Sequence, residues 1–172
     1  MKQVKGLIRV IGLINKYVGV YGGGAALLVL LFITAFNVLF RYVFRMPFEF
    51  ALELDEDLMV VLAFLVGGYT MFLDAHVRVD ILFHKLSPKK RAIQEVVTYP
   101  LVLIFFFILI WKGIAMTYEA LEFHATSPGM EWPYWIVYIF VPFGGILIAL
   151  QAIATFLGAV VRLVENNFQE GN

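Results

Sequence analysis

The side chains able to do acid–base or metal chemistry in this 172-residue chain are three histidines, thirteen carboxylates and thirteen basic groups; there is no cysteine. Without cysteine, disulfides, thiolate metal sites and cysteine nucleophiles are excluded. His76, His84 and His124 stand in or beside polar, loop-like stretches. A haem held between helices needs histidines facing each other inside apolar segments, so a di-haem carrier does not fit. A small proton-coupled pump needs a carboxylate near the middle of an apolar segment, and none is found there. The polar side chains deep in apolar runs are Asn37, Thr70 and Gln151; Asn37 and Gln151 suit helix-to-helix hydrogen bonds. Glycine-rich phosphate loops, His/Glu metal spacings and nucleophile elbows are missing too. A glutathione-transferase-like membrane enzyme would gather basic residues on one face within its bundle, whereas here they stay outside the bundle. The sequence therefore offers no catalytic, metal-binding or cofactor-binding set. A stand-alone membrane enzyme or electron-transfer anchor is the alternative reading, and it lacks its ligands.

Two charged groupings remain. Glu49, Glu53, Glu56 and Asp57 fall on one side of a helix whose start is set by Pro47, with Asp55 on the opposite side. Carboxylates are favoured at a helix N-terminus, so a solvated helix start accounts for them as well as a contact surface does. His76, Arg78 and Asp80 alternate with valines just past the end of the same helix. They act either as a paired lock on that end, or as a headgroup anchor at Arg78 beside a hydrated Asp80.

The elements that carry these groups are membrane helices. With 62% hydrophobic and 15% charged residues, the composition lies far from the soluble range of about 45–50% apolar and about 25% charged. Equal numbers of acids and bases leave no net field to attract nucleic acid. Residues 1–16 alternate an apolar face (Val4, Leu7, Ile8, Ile11, Ile14) with a basic one (Lys2, Lys5, Arg9, Lys16). That pattern predicts either an amphipathic helix at an anionic lipid surface or a helical lead-in to the next span. Four transmembrane helices are expected at 17–40, 54–76, 96–118 and 132–161, making 1–172 a single all-α, four-helix membrane domain. The second has only sixteen uncharged residues, Leu58 to Leu73. At about 1.5 Å each they fall short of a core roughly 30 Å thick, so the charged flanks must sit at or inside the interfaces. Pro100 is expected in the first turns of the third span, Lys112 beside Glu119 at its far end, and a kink at Pro142 in the fourth. Gly67 and Gly68 are expected to pack against a partner or the first span.

Orientation follows from the basic residues. Four lie before the first span, five between the second and third (Arg78, Lys85, Lys89, Lys90, Arg91) and one, Arg162, after the fourth. The opposite side holds Arg41, Arg45 and Lys112. Both termini are accordingly cytoplasmic, and the acidic cluster and the aromatic-rich 118–135 connection face outward.

The order Asn37-Val38-Leu39-Phe40-Arg41-Tyr42-Val43-Phe44, a proline soon after, Glu53-Leu54, glycine late in the second span and His76-Val77-Arg78-Val79-Asp80 resembles the small membrane subunit of tripartite ATP-independent periplasmic (TRAP) transporters. Ser127-Pro128, Trp132-Pro133 and Pro142-Phe143-Gly144 continue the likeness over roughly residues 30 to 150. The chain departs from that family at Phe50, where tryptophan is commoner, and at Leu52-Glu53, in place of consecutive glutamates. The resemblance implies a non-catalytic, cofactor-free subunit of a sodium-coupled transporter in the bacterial inner membrane, serving uptake of an organic acid. Its partners would be a large membrane subunit that moves substrate, a periplasmic binding protein that delivers it, and membrane lipids. Arg41, Glu53, Gly67, Gly68, His76, Arg78 and Asp80 would then be structural or subunit-contact residues. Glu49, Glu119, Glu122 and Glu131 would form the periplasmic docking face.

Overall fold

The computed structural model describes residues 2–45, 49–73 and 88–170, all of them helix except short connections. Helices α1 (Lys2–Tyr17) and α2 (Gly24–Leu39) form one rod, joined through a wider π-type turn at Val18–Gly23 and extended by another at Phe40–Phe44. No proline interrupts it, and it stops where Arg45 turns left-handed at φ 56°. The basic lead-in is thus the first part of a rod rather than a separate helix lying across its end.

Helix α3 (Glu49–Phe72) follows; Pro47 lies outside the described residues. Helix α4 (Pro88–Glu122) begins eight residues before the start expected at Val96. Pro88 is its first residue, a position where a missing N–H costs nothing. Pro100 consequently lies inside the helix instead of in its first turns, and leaves the Val96 carbonyl without its usual donor. A short turn, α5 (Trp135–Tyr138), precedes α6 (Phe140–Glu170). The break falls at Ile139 rather than at Pro142 itself, because it is the Tyr138 carbonyl, four residues back, that Pro142 cannot serve.

Three stretches, Gln3–Phe44, Ile93–Glu122 and Trp135–Val164, are long and apolar enough to cross a membrane. The fourth long helix, α3, differs by its acidic start. The chain is an all-α membrane protein. Helix α6 is central: it packs along α4 on one side and along α3 and α1 on the other. In its most apolar window 44% of residues are buried, against 11% in each of the other two stretches. The fold is therefore an open layer of rods with broad uncovered apolar faces. Met71, Tyr99, Ile148 and Ala152 form its tightest cluster, backed by Phe106 and Phe156.

Glycines set the register. A Cβ on Gly144 would press on the Phe64 backbone, 2.5 Å from its carbonyl oxygen; one on Gly67 would lie 2.6 Å from Ile148 Cδ1. These pairs advance together, so α3 and α6 run parallel. Gly113 against Pro142, and Glu95 against Arg162, make α4 antiparallel to α6. One end of the layer thus carries both Lys2 and the C-terminal part of α6, and the other carries Arg45 and the 123–134 connection.

Candidate functional site

The start of α3 and the 123–134 connection meet at the end of the layer opposite the two chain ends. The connection is a tight turn fixed by its own backbone: Ser127 N donates to Trp132 O at 2.9 Å, and Tyr134 N donates to Ala125 O at 3.0 Å. Ser127, 1% exposed, also accepts from Met130 N on its hydroxyl at 3.3 Å. His124 and Glu131 are held left-handed at φ 50° and 54°, the uncommon region that lets the chain double back over so few residues.

Three carboxylates of α3 reach out from this helix start, each to a different donor. Glu53 Oε2 accepts from Gly129 N at 3.0 Å and from Met130 N at 3.2 Å. A Cβ at 129 would lie 2.7 Å from the same oxygen, so a larger residue there would make the Glu53 carboxylate shift. Asp57 Oδ2 accepts from the Trp132 indole at 3.2 Å, and Asp55 Oδ2 from the Thr34 hydroxyl on α2 at 3.1 Å. The spacing that sets Asp55 opposite the other acids is what sends it to the rod while Glu53 and Asp57 face the turn. Glu53 Oε1 and Asp55 Oδ1 are buried with no hydrogen-bond partner among the described residues. The assembly is a cap, and among the described residues there is no group of side chains able to hold a metal.

Around the cap, Glu119, Glu122 and Glu131 are exposed, as is Arg41 on the last turn of the rod. Glu49 begins α3 at the same end. Lys112 Nζ sits 5.4 Å from the centroid of the Trp111 ring. His76, Arg78 and Asp80 lie outside the described residues.

The sequence model of the tripartite ATP-independent periplasmic transporters, DctQ component, matches residues 30–162. The chain belongs to this family. A curated relative, the isethionate TRAP transporter permease protein DctMQ of Oleidesulfovibrio alaskensis, is 24% identical over 142 residues. The match takes up 79% of this chain and 22% of that protein, so the DctQ chain spans about a fifth of its relative's length. It is a small membrane subunit of a TRAP transporter.

Within the DctQ chain the two glycines singled out from sequence are used internally. Gly67 lies against Ile148 of α6, and Gly68 against Asn15 of the first rod and Leu147 of α6. Asn15, 2% exposed, donates to Ile11 O and to Gln151 Oε1, both at 3.2 Å. At the same end Arg162 donates to Glu95, which is 4% exposed. Sequence reasoning found Gln151 as a helix-to-helix contact but missed Asn15 and the Glu95–Arg162 pair. Asn15 could have been found as the polar residue four after Ile11 and seven after Ile8 on an otherwise apolar face. Glu95 carries no such mark, because it falls just before the third span expected at 96–118.

Proposed function

We propose that this DctQ chain is the non-catalytic scaffold of a sodium-coupled TRAP system that takes up an organic acid across the bacterial inner membrane. It packs against a larger membrane subunit, which carries substrate and sodium, and its capped end adds to the docking face for the periplasmic binding protein. Both termini are cytoplasmic. The observation that carries this reading is the open layer: the described polar links between helices lie toward its two ends, and the apolar walls between them are left uncovered. A bundle so thin has no room for a midplane site built from broken helices. The relative supports a larger partner, since its name joins two components and nearly four fifths of it lie beyond the match.

The cap supports the docking role. Glu53 and Asp57 hold the turn so that Glu119, Glu122 and Glu131 stand outward on a fixed frame; Glu49, at the start of α3, is assigned to the same face. His76, Arg78 and Asp80 are assigned to fixing the cytoplasmic end past α3, and Arg41 to the large-subunit contact. Asp80→Asn is expected to lower transport without altering substrate binding by the soluble protein.

Reporter fusions test the orientation: a periplasm-active enzyme should work after Glu122 and stay silent after Lys90, and the reverse would overturn it. Charge reversal tests docking. Glu119→Lys, Glu122→Lys and Glu131→Lys together should cut transport in the reconstituted three-part system while the binding protein keeps its own affinity. Full transport by that variant would remove the docking role.

A further inference from the structure

An apolar groove of about 630 Å³ runs between the first rod and α3. Val20, Gly24 and Leu27 form one wall, and Met59, Ala63 and Val66 the other. Nothing lies within 4 Å of where a Gly24 Cβ would be, so the rod turns bare backbone to the open space. Thr70, at one end, satisfies its hydroxyl on Gly67 O at 2.9 Å and makes no polar demand on an occupant. The lining suits hydrocarbon.

What stands at the mouth identifies which hydrocarbon. Arg9 and Lys16 are seven apart within α1, which puts both cations on one helical face in the turns just before Gly19, the first rod residue of the groove. Both are exposed. Tyr17 and Tyr21 stack beside them with ring centroids 5.8 Å apart, and both are largely exposed. Exposed tyrosines at this position mark the headgroup level of a membrane. From Gly19 to Leu27 the rod rises about 12 Å, close to the depth of one leaflet of a core roughly 30 Å thick. A partner helix would cross both leaflets, yet the lining stops at Leu27 and Met59, near the middle. The carboxylates of α3 are at its far end and do not oppose an anion here.

We infer that this groove is a binding site for an anionic phospholipid of the inner leaflet, with one acyl chain along Gly24 and Ala63 and the headgroup phosphate at Lys16 and Arg9. The leaflet rests on the orientation proposed above; the site itself rests on the groove and its cationic mouth. Occupied, it would continue the wall of α3 and the rod with lipid.

Native mass spectrometry of the full chain, extracted from membranes and exchanged into micelles containing phosphatidylglycerol or phosphatidylcholine, tests it. One phosphatidylglycerol should be retained per chain, preferred over phosphatidylcholine roughly thirtyfold for two surface cations. Arg9→Gln with Lys16→Gln should abolish that preference, about fivefold per charge. Gly24→Leu, and Ala63→Phe from the opposite wall, should lose the lipid with thermal unfolding unchanged. Equal retention of the two lipids by the natural chain would overturn the proposal. So would phosphatidylglycerol retained by both groove-filling variants, or a large membrane protein lost from them while lipid stays. Because the chain has no cysteine, Tyr17→Cys reports orientation separately. Labelling by an impermeant maleimide from the periplasmic side overturns the leaflet, and retention alone decides the site.

Discussion

At its N-terminal turns α3 meets its neighbours through long carboxylates, Glu53, Asp55 and Asp57, each aimed at a donor on another element. From Phe64 to Met71 the same helix meets them through near-bare backbone, at Gly67 and Gly68 on its own side and Gly144 opposite. The first kind of contact tolerates small shifts, because a flexible side chain can follow its donor and water can substitute at an exposed end. The second does not, because between apolar helices the attraction is dispersion and close approach, which fade within about an ångström. The cap should therefore be soft and local, and the glycine seam stiff and global.

The largest break is expected in the seam. Gly144→Ala forces a methyl against the backbone of Phe64, whose carbonyl carbon and oxygen would lie 2.8 and 2.5 Å away. Backbone cannot step aside as a side-chain tip can, so α3 and α6 must separate. A loss of about 3 kcal/mol is expected, at the upper end for overpacking, read as a lower midpoint in detergent unfolding. An unchanged midpoint would mean that the seam is as yielding as the cap.

This contrast explains what could be read from the sequence. The all-helical membrane class, the apolar rods and the polar ends were legible because they rest on composition and on charge position, which survive any packing. That Gly67 and Gly68 lie in contacts was legible too, but their neighbours in α6 were not, since sequence does not say which rods are adjacent in an open layer. The acids of α3 could be put on two sides by spacing alone. Their donors, Gly129 N, Met130 N, Trp132 and Thr34, come from the fold of a turn and from the placement of α2. The early start of α4 was hidden because Lys89, Lys90 and Arg91 look like a loop until Pro88 is recognised as a first helical residue.

A middle-sized effect is expected where the seam carries a hydrogen bond. Asn15→Leu removes the donor to Gln151 Oε1 and leaves that oxygen buried, at about 1 kcal/mol. Gln151→Leu leaves the Asn15 amide its second acceptor, Ile11 O, and should cost less. The double variant should cost less than the two singles added, by several tenths of a kcal/mol, in a double-mutant cycle on the same unfolding assay. Strict additivity would show that the pair contributes packing alone, and would sharpen the seam into a purely apolar contact.

The smallest effect is expected in the cap, where Glu53 decides it. Its Oε2 serves two backbone donors, but Gly129 and Met130 are exposed, so water can take over both N–H groups when the carboxylate is removed. Glu53→Ala is expected to lower stability by about 1 kcal/mol or less. Its main effect should be local: faster hydrogen exchange at the Gly129 and Met130 amides, with α4 and α6 protection unchanged. Glu53→Gln keeps an acceptor oxygen and removes a charge whose other oxygen, Oε1, is buried without a described partner. It should exchange nearly as slowly as the natural chain and unfold within a few tenths of a kcal/mol of it. The two variants separate acceptor geometry from charge at one position. If Glu53→Ala instead unfolded the molecule as far as Gly144→Ala, the cap would be as global as the seam, and rigid placement of Glu119, Glu122 and Glu131 would depend on the whole layer rather than on one carboxylate and a turn.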